Sequence, residues 1–249
     1  MPTATELSDP YANFMLSPRP GPGVCHLCFD LTDGYDYCIR CDSGGSALRL
    51  LAPISYSVGG EQLHRAIAGY KRLHGDVARR LRAELAAVLW RFLARHEPCI
   101  AGAAGAGEFE LVTTVPSSDI ARDRNHPLRT IVGELAVPTR ARYERLLVRS
   151  RQPTTPRTFD PERFEPVRPL RGEHVLLIDD IWTTGTSAQS AAAALRAAGA
   201  GAVAAVVIGR HLNRPWRGND QRLRALQFDW DACTACTASV TDLAARSRI

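Results

Sequence analysis

The chain has 249 residues, 45% of them hydrophobic and 23% charged, with a formal net charge of +5. That composition is globular, and the length suffices to bury a core, which excludes a wholly disordered chain and a low-complexity fibre. No run of about 18 or more uncharged apolar residues occurs, and the start lacks a basic stretch followed by an apolar one, so no membrane partner and a cytoplasmic location are expected.

Residues 1–24 are rich in Pro, Ser, Thr and Gly and read as a loose, disordered tail. Residues 25–45 hold Cys25, Cys28, Cys38 and Cys41 and close on Ser43-Gly44-Gly45, a small separate module. Ala52 to Val58 reads as a strand. Leu63, Ile67 and Tyr70 fall at helical spacing. Gly75 stops that helix, and Asp76 can cap a second, whose apolar stripe is Val77, Leu81, Leu85, Val88 and Phe92. Glu108 to Val115 reads as a strand halted by Pro116, and a helix is expected near Leu128 to Leu135. Residues 138–171 show little periodicity, and a stretch that long within one domain is usually functional or mobile. Val175 to Ile178 (VLLI) and Val203 to Ile208 (VAAVVI) read as buried parallel strands around an Ala-rich helix, Ser187 to Ala198. Strand, helix, strand in so short a span predicts an α/β domain with a parallel sheet over 50–215. Residues 216–249 read as an irregular C-terminal extension.

The most informative segment is Val175 to Ser187, VLLIDDIWTTGTS. Asp179 and Asp180 follow the apolar strand, and Thr183, Thr184, Gly185, Thr186 and Ser187 lead into the helix. Ligands of open α/β sheets bind at the carboxyl ends of strands. A helix N-terminus offers N–H groups and the positive end of a dipole, which suits a phosphate. Gly185 permits close backbone approach, and the hydroxyls add donors. Two carboxylates one loop away can accept hydrogen bonds from sugar hydroxyls and help hold Mg²⁺. A phosphate cradle beside hydroxyl acceptors describes a ribose 5-phosphate site. Trp182 either lines that site or packs on the sheet edge.

This segment resembles the phosphoribosyl-pyrophosphate (PRPP) binding motif of type I phosphoribosyltransferases. A four-cysteine module, GYKRLHGDVARRL over residues 69–81, a strand ending in Val-Pro and the PRPP motif together are similar to the ComF-like branch of that superfamily. The resemblance implies a phosphoribosyltransferase-like fold, PRPP as ligand with Mg²⁺, and transfer of phosphoribosyl to an unidentified nitrogen acceptor. It implies Asp179 and Asp180 as the catalytic acids and Thr183 to Ser187 as the 5-phosphate loop. The corner Val115-Pro116-Ser117-Ser118 falls where the pyrophosphate loop lies, so Ser117 and Ser118 are candidates there. Tyr70-Lys71 matches an aromatic-Lys pair. Lys71, the only lysine, either contacts phosphate or faces water. The chain departs from the branch at residues 122–128, RDRNHPL, where the family carries Arg-Gly-Phe-Asn-Gln. The alternative is a non-catalytic ComF-like PRPP- or nucleotide-binding protein serving DNA uptake or another nucleic-acid process, with single-stranded DNA as a partner. A homodimer is left open.

Cys25-x2-Cys28-x9-Cys38-x2-Cys41 can supply four thiolates to one structural Zn²⁺. A module this small has little core, so a metal would hold it together. Cys233-x2-Cys236 stays open between replacing an N-terminal pair, sharing a site with a partner chain, a disulfide or redox pair, and a C-terminal cap. Cys99 is expected to be a small packing residue.

Overall fold

The structure is a computed structural model, and the residues described are 2–42, 46–117, 123, 125–155, 157–215 and 218–236. In chain order come α1 (Ala4–Ser8) with a 3₁₀ turn (Asp9–Asn13), α2 (Ile39–Asp42), β1 (Leu50–Val58), α3 (Gln62–Arg72) and α4 (Gly75–Ala103). They are followed by β2 (Leu111–Thr114), α5 (Pro127–Thr130) with a π turn (Ile131–Leu135), α6 (Val137–Arg140), β3 (Leu147–Arg149) and β4 (Phe164–Pro166). The chain then forms β5 (Val175–Trp182), α7 (Thr186–Ala197), β6 (Val203–Leu212) and α8 (Asn219–Arg224).

Four strands form one sheet in the order β1-β6-β5-β2, and every pairing is parallel. Its central strands are apolar almost throughout because both faces are covered. Leu176, Ile178, Ala204 and Val206 turn towards α3 and α4, where Leu63, Leu85, Leu89 and Phe92 complete one core. Val175, Leu177, Ala205 and Val207 turn the other way, onto Ala191, Ala192 and Leu195 of α7. The expected α/β class and parallel sheet are what the chain forms.

Several boundaries differ from expectation for identifiable reasons. β5 does not stop at Ile178. Pairing with β6 continues through Asp179↔Val207, Ile181↔Gly209 and Trp182↔Arg210, so both acids lie within the strand. β6 likewise runs on to Leu212. The break between α3 and α4 falls at Leu73-His74, and Val77, expected on the buried stripe, is exposed. Residues 138–171 contain a short antiparallel ribbon, β3 with β4.

Residues 2–24 are not a loose tail. Thr3 and Glu6 form a capping box at α1, the Tyr11 hydroxyl donates to Glu84 of α4 at 3.0 Å, and Met15 is buried in the main core. Leu16 accepts a hydrogen bond from the Tyr56 N–H at 2.8 Å, which covers part of the exposed edge of β1. No described helix is long and apolar enough to cross a membrane.

Candidate functional site

The carboxyl ends of β2 and β5 lie side by side, with Thr114 paired to Ile178. The chain leaving β2 and the acids in the carboxyl-terminal half of β5 therefore border one cleft. Its volume is about 620 Å³, and its walls include Lys71, Arg82, Ser117, His126, Asp179, Asp180 and Ser187.

The two acids are not equivalent. Asp180 is buried. Its Oδ2 accepts a hydrogen bond from the Tyr70 hydroxyl at 2.6 Å and is ion-paired with Lys71, both from the last turn of α3. Burial, followed by the Asp180 charge, pushes the Tyr70 phenol well above its ordinary range. Asp179 is half-buried, accepts the Asp180 backbone N–H at 2.9 Å, and has no ion-pair partner among the described residues. Burial first, then the adjacent Asp180 carboxylate, pushes the Asp179 carboxyl up to about 8. Lys71 is exposed to the cleft and to solvent, and its charge is engaged by Asp180.

Two nitrogens of cleft residues stand buried without a hydrogen-bond partner among the described residues, Nε of Arg82 and Nδ1 of His126. Burial and then Lys71 pull His126 down to about 4, so the ring is neutral at pH 7. Buried polar groups are normally paired; the Arg82 Nε–H lacks an acceptor, and the His126 Nδ1 lacks an acceptor or a donor according to its tautomer. Arg82 was not singled out from sequence, because nothing separates it from the other arginines of α4.

The threonine loop divides between two cavities. Ser187 borders the cleft of the acids. Thr183 and Thr184 border a neighbouring cavity of about 470 Å³, facing Asp30, Cys38, Arg40 and Arg210. The hydroxyls of Thr184 and Thr186 lie 3.0 Å apart and bond each other. Gly185 begins α7 with φ +79°, and no side chain caps the helix. A Cβ at Gly185 would stand 2.1 Å from Cζ2 of Trp182. Trp182 is accordingly buried against the loop and does not line the cleft.

At the corner after β2 the Ser117 N–H donates to Asp123 at 2.9 Å, and Asp123 is ion-paired with both Arg129 and Arg145 at 2.8 Å. That amide is committed to shaping the corner. Ser118 lies outside the described residues.

The four-cysteine module sits over the same end of the sheet. One sulfur from each of Cys25, Cys28, Cys38 and Cys41 lies within 4.8 Å of the other three. The Cys28 and Cys38 sulfurs are 3.6 Å apart, close to the ~3.8 Å edge of a tetrahedron with Zn–S bonds of about 2.3 Å. Backbone N–H groups of Phe29 and Cys41 fold back to the carbonyls of Cys25 and Cys38 at 3.0 and 2.9 Å, closing two knuckles. The donor set fits a structural metal such as zinc. Arg210 of β6, almost wholly buried, donates to the Cys28 carbonyl at 2.7 Å, pairs with Asp30 at 3.0 Å, and brings a nitrogen 3.6 Å from the Cys28 sulfur. A fixed cation beneath thiolates offsets their charge and seats the module on the sheet.

These features define a class: an α/β domain with a parallel sheet, an acid pair at a strand end, and a four-cysteine cluster. No protein-family model matches the chain, and no curated protein matches it either.

Proposed function

We propose that the chain binds PRPP, or a closely related phosphorylated sugar, and transfers its phosphoribosyl group to a nitrogen acceptor, in the manner of type I phosphoribosyltransferases of the ComF-like kind. The observation that carries this reading is the meeting, in one cleft, of an acid without an ion-pair partner among the described residues, Asp179, with buried nitrogens that lack a hydrogen-bond partner there, Nε of Arg82 and Nδ1 of His126. A ligand that carries hydroxyl groups and an anion satisfies both.

In this reading Asp179 accepts hydrogen bonds from the ribose hydroxyls, and Asp180, held by Tyr70 and Lys71, keeps the strand end rigid. Ser187 and the uncapped start of α7 receive the 5-phosphate. Arg82 and His126 receive the pyrophosphate oxygens. In the reaction the bond from the anomeric carbon to pyrophosphate breaks, a bond to the acceptor nitrogen forms, and the acceptor's proton leaves to solvent. Charge develops on the sugar as an oxocarbenium-like transition state, which fixed carboxylates stabilise. Mg²⁺, when bound with PRPP, supplies neutralisation of the leaving pyrophosphate, and the hard oxygens of Asp179 suit it.

A second reading is binding without transfer, in a PRPP-responsive protein of a nucleic-acid process such as DNA uptake, with single-stranded DNA as partner. It is favoured by how many cleft groups are already engaged: Asp180 by Tyr70 and Lys71, and the Ser117 amide by Asp123. Pyrophosphate release from PRPP and Mg²⁺ across a panel of amines and bases separates the two. Turnover supports transfer, saturable binding without turnover supports the second reading, and absence of both contradicts each.

A further inference from the structure

The C-terminal cysteine pair takes no part in the cleft or the N-terminal cluster. Cys233 and Cys236 lie instead against the last third of α4, where they meet His96 and Cys99. One ligand atom from each of these four residues lies within 4.8 Å of the other three. The Cys99 and Cys233 sulfurs are 3.3 Å apart, and His96 Nδ1 is 3.9 Å from the Cys99 sulfur and 3.8 Å from that of Cys236. Ligands of one tetrahedral zinc, with Zn–S about 2.3 Å and Zn–N about 2.0–2.1 Å, stand roughly 3.6–3.8 Å from one another. A disulfide would require about 2.05 Å between sulfurs.

The surroundings are built for ligation. His96 and Cys99, three apart on a helix, share one face. His96 is buried, and its Nε2 lies 2.8 Å from the Trp230 carbonyl oxygen. A carbonyl only accepts, so Nε2 carries the proton and Nδ1 presents its lone pair to the three sulfurs. The N–H of Cys233 points at the Cys236 sulfur at 3.1 Å, and the N–H of Cys236 at the Cys233 sulfur at 3.4 Å. Amide donors of this kind favour thiolates. The segment before the pair is pinned to the same helix: the Arg91 guanidinium lies 4.2 Å from the Trp230 ring centroid, and Arg95 pairs with Asp231 at 2.8 Å.

We propose that His96, Cys99, Cys233 and Cys236 form a second metal centre, a Cys₃His site for Zn²⁺ or a divalent ion of similar softness. Four protein ligands leave no open position, so its role is structural. It cross-links positions 134 residues apart and fastens the C-terminal segment to α4, whose N-terminal half supplies Arg82 to the cleft.

The test is metal content and cobalt spectroscopy of the full chain. Wild-type protein purified with zinc and reductant carries two zinc ions per chain. The Cys233→Ser/Cys236→Ser variant carries one, and so does Cys25→Ser/Cys28→Ser, each losing a different ion. Should either variant fail to fold, cobalt-substituted wild type still decides: its visible spectrum is the sum of an S₄ and an S₃N centre. His96→Cys keeps both ions while the S₃N bands move to the red. A wild-type chain with one zinc under saturating metal, a cobalt spectrum of S₄ type alone, or a Cys99–Cys233 disulfide persisting in reductant would overturn the proposal.

Discussion

Asp180 is buried with its charge answered by Tyr70 and Lys71, while Asp179 beside it has no cation of its own among the described residues. The consequence is readable as pH dependence. Burial and the neighbouring Asp180 push the Asp179 carboxyl up to about 8 in the folded chain, against 3.8 for an ordinary aspartate. Between those values the folded chain holds a proton that the unfolded chain has released, so stability falls as pH rises through the window. Asp179→Asn removes this cost. Its melting temperature relative to wild type is expected to climb between about pH 4 and about pH 8, while PRPP affinity at about pH 8 and above, where the carboxyl is ionised, drops roughly tenfold or more, as befits a lost charge-assisted hydrogen bond. A melting difference flat across that range would contradict the assignment. The acids and threonines were legible in sequence because the motif is dense in chemistry. Their partners were not: Tyr70 lies 110 residues from Asp180, and only the packing of α3 on the sheet joins them. Arg82 is one arginine among many, and its orphan nitrogen exists only in three dimensions.

At the scale of elements, the turn from β5 into α7 depends on one glycine. Gly185 needs a positive φ, and its missing Cβ leaves room for the buried ring of Trp182. Gly185→Ala meets both objections, the left-handed backbone and an overpacked contact, and is expected to cost about 2–4 kcal/mol in thermal or denaturant unfolding. A loss under about 1 kcal/mol would show that the loop relaxes freely. The sheet strands were readable as apolar runs, but their ends were not. Acids look like loop in a sequence, yet the ladder to β6 carries Asp179 and Asp180 as strand. The His96/Cys99 pair was hidden for a related reason. Both fit the helical pattern of α4, and their meaning appears only when the C-terminal pair is laid against them.

At the scale of the whole molecule, the four-cysteine module and the α/β domain share one surface. Arg210 reaches from the sheet into the module, and Thr183 and Thr184 face the cavity between the two. Stripping zinc from the N-terminal cluster is therefore expected to loosen the phosphate loop as well as the module. The readout is a fall in melting temperature on the order of 10 °C on chelation in Cys233→Ser/Cys236→Ser protein, reversed by zinc. An unchanged melting temperature would show that the module is an independent appendage. The fold class and the four-cysteine cluster followed from apolar patterning and spacing, which are local. The ordered N-terminal segment did not, because its stability comes from α4 and the edge of β1. The central claim is that a sugar phosphate docks between Asp179 and the start of α7, and calorimetric titration of the zinc-loaded chain with PRPP and Mg²⁺ tests it most directly. One saturable site, lost in Asp179→Asn/Asp180→Asn protein that remains folded, is the predicted result. No binding heat with wild type, or equal affinity in the double variant, would contradict it.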